Sequence, residues 1–106
     1  MSSSNKEASS KRYRLKFKES AQKEWYKLGP VIQRQFASKL KERLDNPEVE
    51  AFRLRGMPGC YKIKLRASGY RLVYEVIQSE IIVMVIAVGK RERGKVYANA
   101  RNRIDS

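Results

Sequence analysis

The chain has no histidine and one cysteine among its 106 residues. Without histidine, acid–base chemistry lacks the side chain that ordinarily titrates near neutral pH. One cysteine cannot make an internal disulfide, and a zinc site would lack its usual Cys and His ligands. No apolar run approaches the ~20 residues that a membrane span needs, and no apolar stretch follows the N-terminal charges as a signal peptide requires. Acidic residues are also scarce, with 11 Asp and Glu against 24 Lys and Arg, a formal charge of +13. Metal-dependent phosphoryl transfer draws on clustered carboxylates. Only Glu75 falls near the basic strands described below, and Glu92 is flanked by Arg91 and Arg93. A metal nuclease is therefore disfavoured, and no metal or cofactor is expected.

What is present is a basic chain able to bury one core. A hydrophobic content of 42% separates it from a disordered basic tail. Its charge implies an anionic partner, most simply nucleic acid. That charge is uneven: residues 53–106 carry twelve bases and four acids, and the first 52 carry twelve bases and seven acids.

Residues 1–11 are serine-rich and lack large apolar side chains, so they read as a disordered tail preceding a single domain over 12–106. Arg12–Lys18 alternates, with Tyr13, Leu15 and Phe17 on one face, a strand pattern. Glu19–Leu28 shifts to helical spacing through Ala21, Trp25 and Leu28, with Ser20 available as a cap. Gly29-Pro30 ends that helix and begins another. The second carries Ile32, Phe36, Leu40 and Leu44 at every fourth position and stops at Asn46-Pro47. A loop over Glu48–Gly59 has a basic tip at Arg53-Leu54-Arg55-Gly56. Three strands follow, at Cys60–Arg66, Tyr70–Ile77 and Ile81–Val88, joined by short turns into an antiparallel meander. The last strand is apolar throughout and reads as buried on both faces. Val96, Ala100 and Ile104 space a final helix. The expected class is α+β: a small antiparallel sheet with an N-terminal αα-hairpin on one face and a C-terminal helix, in the order β-α-α-β-β-β-α.

Strand parity gives the basic residues a shape. If the turn near Ser68 holds an even number of residues, Lys62, Lys64 and Arg66 share a face with Arg71, and a two-residue turn at Ala67-Ser68 sets Lys64 directly opposite Arg71. An odd turn sends Arg71 to the other face. Like charges directly opposite on a sheet are destabilising, and a phosphate-binding surface is one reason to keep them. Lys90 and Arg91 follow Gly89 at a strand end, where sites commonly sit. Tyr97 falls beside the apolar stripe of the last helix, placed either to stack on a base or to edge the helix–sheet interface. Such a set suits metal-free RNA cleavage, in which the substrate's own 2′-OH attacks the adjacent phosphate. Arginines clamp the developing charge, and a lysine with a depressed pKa serves as base. Spacing alone does not separate this chemistry from phosphate binding without chemistry.

Several of these segments in order resemble the RelE toxins of bacterial type II toxin–antitoxin modules. They are Leu54-Arg55-Gly56-Met57-Pro58, Cys60-Tyr61-Lys62-Ile63-Lys64-Leu65-Arg66, Ser68-Gly69-Tyr70-Arg71-Leu72-Val73-Tyr74 and Val88-Gly89-Lys90-Arg91-Glu92-Arg93, with Lys23-Glu24-Trp25 and Lys27-Leu28 in the first helix. The resemblance spans about residues 13–104. It implies a ribosome-dependent mRNA endonuclease that cuts the codon in the ribosomal A site, on the small subunit, by the 2′-OH route. Carried across, Lys62 and Lys64 match the catalytic lysines, with Lys64 as general base. Arg71 matches the arginine that stabilises the transition state, Arg91 the general acid, and Tyr97 the tyrosine that stacks on the codon. Arg55, with Arg66, Lys90 and Arg93, would help hold RNA. The resemblance further implies a RelB-like antitoxin, operator DNA bound through that antitoxin, a cytoplasmic location and no membrane. Gly59, Gly94 and the tail depart from the family pattern, and Gly94 bears on where Tyr97 sits. A ParE-like toxin that poisons DNA gyrase and a basic RNA- or ribosome-binding module without chemistry are the alternatives.

Overall fold

The computed structural model describes residues 12–92 and 94–105. The serine-rich stretch 1–11 and Arg93, expected to contact RNA, lie outside the described residues.

The element order is the expected one. Strand β1 (Arg14–Phe17) leads into helices α1 (Glu19–Tyr26) and α2 (Pro30–Asp45), then strands β2 (Cys60–Leu65), β3 (Tyr70–Ile77) and β4 (Ile82–Lys90), and helix α3 (Lys95–Asp105). Ser20 does not cap α1. Lys18 holds the extended N-cap position without a side-chain cap, Ser20 lies inside the helix, and Glu19 supplies a favourable charge in the first turn. Gly29 and Pro30 start α2 as expected, with Gly29 extended at the N-cap and Pro30 in the first turn.

The strands are ordered β1-β4-β3-β2. The meander β2–β3–β4 is antiparallel, whereas β1 runs parallel to β4, so the sheet is mixed. The expected sheet was antiparallel, and its β1 edge departs from that because alternation within a strand reports its burial and not the direction of its neighbour.

Each face of the sheet has its own apolar cluster. On one face Ala21, Phe36 and Leu40 of the αα-hairpin pack on Tyr61, Ile63, Leu72, Tyr74, Val83 and Val85. Trp25 joins them edge-on to Phe17, with ring centroids 5.3 Å apart. On the other face Val96 and Ala100 of α3 pack on Cys60, Val73, Ile86 and Ala87. Strand β4 is buried on both faces, as its unbroken apolar run predicts. It begins at Ile82 because Ile81 adopts a left-handed conformation, φ 56°, uncommon for a β-branched residue.

A β-bulge interrupts the β3–β4 ladder. Val73 pairs with Ala87 and Tyr74 with Val85, leaving Ile86 as the extra residue. Both Ile86 and Ala87 therefore point toward α3, and every later residue of β4 changes face.

Beyond β1, the open edge of β4 is capped by side chains. Glu24 of α1 accepts the N–H of Val88 at 3.0 Å, and Arg103 of α3 donates to the carbonyl of Ile86 at 2.9 Å. The two side chains also meet in a forked pair, at 2.8 and 2.9 Å. Lys18 Nζ donates to the Arg103 carbonyl at 3.0 Å. Helices on opposite faces are thus tied together around one sheet edge.

Candidate active site

The turn joining β2 to β3 occupies residues 66–69, an even number, and the ladder places Lys64 opposite Arg71. Lys62, Lys64 and Arg71 accordingly share the face that carries α3. Arg66 departs from the expectation: β2 ends at Leu65, and Arg66 is an exposed turn residue at the end of the row.

The row continues across the sheet. Arg71 pairs with Gly89, where a side chain would press on Val96 of α3 at 3.3 Å. Glycine there lets the helix sit close to β4. Two residues on, the Arg91 N–H donates to the Gly69 carbonyl at 2.7 Å, which extends the ladder past β4. The bulge decides which basic side chain joins the row. With the shift at Ile86, Arg91 falls on the face of Arg71, and Lys90 falls on the hairpin face. There Lys90 Nζ lies 5.9 Å from the ring centroid of Tyr70. Lys90, expected to help hold RNA, is therefore separated from the others by the thickness of the sheet.

Arg71 is buried, and its Nη1 donates to the carbonyl of Tyr70 at 3.1 Å. Among the described residues no carboxylate pairs with it. A buried guanidinium facing a lysine without a counter-ion is unfavourable in the free protein and favourable once an anion arrives. The charges act on Lys64. Lys62 contributes most to holding its pKa below the ordinary lysine value, followed by partial burial and by Arg66, Arg71 and Arg91. A lysine so placed yields the free amine at a lower pH than an isolated one.

Tyr97 is partly buried against the α3 cluster and borders a shallow hollow of about 300 Å³ with Ala98, Arg101 and Asn102. One side of its ring is thus packed and the other open. Arg55 is exposed, in a loop whose Leu54 and Met57 pack into the same cluster. Among the described residues no ion pair or hydrogen bond joins it to the row.

Other chemistries find less support in the side chains. Burial pushes the Cys60 thiol up to about 12, aided by Glu75, so it is not a nucleophile near neutral pH. Among the described residues no three Cys, Asp or Glu side chains gather as a metal site would need.

Arg43 was missed in the sequence reading. It is buried, its guanidinium lies 4.7 Å from the Phe52 ring centroid, and Nη1 donates to Tyr74 Oη at 2.8 Å and to the Lys62 carbonyl at 3.2 Å. Its signal was an arginine on the apolar stripe of α2, seven positions after Phe36. Tyr74 Oη in turn donates to the Pro47 carbonyl at 2.6 Å. The network fixes β2 from behind, beneath Lys62 and Lys64.

Comparisons with known proteins place this surface in context. Residues 15–94 match the family described as "ParE toxin of type II toxin-antitoxin system, parDE". The chain is 59% identical over 92 residues to a protein of Escherichia coli named "mRNA interferase toxin RelE", which covers 87% of this chain and 97% of that protein. Among solved structures, a double arginine mutant of E. coli RelE in the free state superposes with a TM-score of 0.82 at 56% identity, covering 88% of this chain and 98% of that one. The toxin of the intact E. coli RelBE toxin–antitoxin complex gives a TM-score of 0.74 at 59% identity, over 76% of this chain and 99% of that one. An archaeal RelE in a RelE–RelB complex from Pyrococcus horikoshii has the same fold at 22% identity, with a TM-score of 0.59 over 77% of this chain and 98% of that one.

Proposed function

The chain belongs to the RelE branch of the ParE-type toxin family of type II toxin–antitoxin systems, and from that premise we propose that it is a ribosome-dependent mRNA interferase. The observation that carries the reading is the row formed by Lys64, Arg71 and Arg91, with Lys62 beside it, on one sheet face and without a pairing carboxylate among the described residues.

In this reading the scissile phosphate of an mRNA codon in the ribosomal A site lies over Arg71. The 2′-OH of the preceding ribose gives its proton to the neutral Lys64 amine as its oxygen bonds to phosphorus. The P–O5′ bond breaks, leaving a 2′,3′-cyclic phosphate and a 5′-hydroxyl. Arg71, with Lys62 alongside, offsets the charge that gathers on the phosphorane oxygens. Arg91 faces the departing 5′ oxygen. A guanidinium keeps its proton until that oxygen is close to an alkoxide, so Arg91 first stabilises it electrostatically and then gives it the proton that completes the 5′-hydroxyl, and the proton taken up by Lys64 returns to Arg91 through solvent. Tyr97 stacks on a base of the codon, and Arg55 and Arg66 contact the phosphate backbone. The small ribosomal subunit supplies the alignment that a site without a strong base needs. The E. coli relative has been solved in complex with RelB. We extend that pairing to a RelB-like antitoxin here, with operator DNA reached through the antitoxin and a cytoplasmic place of action.

The test is a cell-free translation reaction with the purified protein and mapping of mRNA ends. Codon-phased cuts confined to translated regions are expected, with little cutting of naked RNA. Intact mRNA with inhibited gyrase would replace this reading by gyrase poisoning. Slowed translation without cuts would replace it by binding alone.

A second expectation concerns pH. The single-turnover rate should rise with pH as Lys64 loses its proton, with an inflection below the ordinary lysine value. Lys62→Ala removes the largest cause of that depression, so the inflection should move to higher pH. A profile that keeps its inflection in Lys62→Ala would remove Lys64 as the base.

A further inference from the structure

The register of the sheet sets an amine beside an anion-binding group. Lys64 stands directly opposite Arg71, and cross-strand partners of this kind have Cβ atoms about 4.5–5.5 Å apart. Arg71 is buried, and its Nη1 is bonded to the Tyr70 carbonyl. Its partner on β4 is Gly89, so no side chain from that strand stands opposite the guanidinium. Arg91 is fixed two residues further on, its N–H bonded to the Gly69 carbonyl at 2.7 Å. Among the described residues no carboxylate pairs with either arginine. The surrounding cations Lys62, Arg66, Arg71 and Arg91 favour the free amine of Lys64, and the same charges attract a phosphate. A nucleophilic nitrogen next to an unfilled phosphate site is a place where a phosphate-activated electrophile reacts.

We propose that Lys64 is a site of covalent acylation by acyl phosphates, with the phosphate held by Arg71 and Arg91 and the acyl carbon presented to the Lys64 nitrogen. The lone pair of that nitrogen attacks the carbonyl carbon, and a C–N bond forms. The bond from the carbon to the bridging phosphate oxygen breaks, and its electron pair leaves with the phosphate. The proton shed by the nitrogen ends on that phosphate. The products are an amide at Lys64 and inorganic phosphate, whose developing charge the arginines offset. The side-by-side register also selects the donor. Its electrophilic carbon and its phosphorus must lie one oxygen apart to meet both groups at once, as they do in a mixed anhydride of a carboxylic and a phosphoric acid. A thioester carried on a nucleotide has its phosphates many bonds from the carbonyl and cannot meet both. The acylation stands on the cluster alone. Its consequence, a chain that has lost its general base, rests on the interferase reading.

The experiment incubates the intact protein with acetyl phosphate and follows each lysine by peptide mass spectrometry, with fragment spectra separating Lys62 from Lys64. Lys16 on β1 and Lys41 on α2, both exposed, are the internal references. Lys64 should be acetylated about tenfold faster than either, the low end of the enrichment that a surface of one charge gives an anion. Inorganic phosphate should slow labelling at Lys64 and leave the references unchanged. The neutral ester p-nitrophenyl acetate reads the amine without the phosphate site, and its preference for Lys64 should be clearly smaller. In Arg71→Ala the preference shown by acetyl phosphate should fall toward that of the ester. Equal labelling of Lys64 and the references by acetyl phosphate would overturn the proposal. So would a preference no greater than the ester's, or one that inorganic phosphate leaves intact. Labelling is read as mass and not as cutting, so its failure is distinct from failure of the interferase reading, which the translation reaction reports.

Discussion

Arg71→Ala is expected to lower single-turnover cleavage of ribosome-bound mRNA by about 10²–10³-fold, the range seen when a preorganised donor to developing charge is removed. Two effects act in the same direction. The phosphorane loses a buried guanidinium that has no carboxylate to neutralise it among the described residues. Lys64 also loses one of the cations that depress its pKa, so less free amine is present at neutral pH. The fold should be indifferent or slightly favoured, because the substitution relieves the repulsion between Arg71 and the lysine directly opposite. Rapid-quench cleavage together with a urea melt checks both halves. Arg71→Lys should fall between, since it keeps the charge without the planar fork. Full cleavage by Arg71→Ala would remove this residue from the site.

The largest effect on stability should come from the pair at the β4 edge. Arg103→Ala is expected to cost about 2–3 kcal/mol, less than the 3–5 typical of a fully buried pair because both side chains keep about a quarter of their exposure. The loss also leaves the Ile86 carbonyl without its Arg103 donor. The urea midpoint should fall by roughly 1–2 M for a domain of this size. Removing Glu24 as well should cost less than the sum of the single changes. Acid sensitivity gives an independent readout. Burial pulls the Glu24 carboxyl up, but hydrogen bonds from Arg103 and the Val88 N–H, with the charges of Arg103 and Lys27, outweigh it and leave the pKa below the ordinary value. The folded-state pKa is depressed, so the stabilisation is complete above the unfolded pKa and is lost as pH falls through the folded one. In Arg103→Ala that acid limb should flatten. A midpoint unchanged by Arg103→Ala would mean that α3 is held by its apolar contacts alone.

Periodicity was a good guide where side chains alternate or repeat every fourth position. Lys62, Ile63 and Lys64 alternate between the two faces, and an even turn was enough to put Lys64 on the face of Arg71, where the four-residue turn centred on Ala67-Ser68 also pairs them. The same reasoning fails in β4, where every residue from Ile82 to Val88 is apolar. A frame change inside a run without alternation leaves no mark in the sequence, so the bulge at Ile86 was invisible. That bulge separates Lys90 from Arg91, two neighbours that looked equivalent. Arg66 was misplaced for a related reason: its alternation with Ile63 and Leu65 continues one residue beyond the ladder. Arg43 and the Glu24–Arg103 pair were overlooked because each joins elements distant in the chain, and charged residues on helices ordinarily read as solvated. The roles assigned to the basic row came through the resemblance, since spacing places cations together without saying what they do.

The parallel pairing of β1 bears on the order in which the molecule assembles. Arg14 reaches its partner Ile82 across 68 positions of sequence, whereas the β2–β3–β4 meander closes through short turns. Short closures cost less chain entropy and form sooner, so the meander is the expected early nucleus, with β1 docking afterwards. Strand β1 is only four residues long and its inward contacts are few, which makes it the least protected strand against native-state hydrogen exchange. Transient opening at that edge would leave β2, β3 and the Arg91–Gly69 link untouched. Fraying and the basic surface thus belong to opposite sides of the same sheet, and the protein can breathe at one while the other stays set.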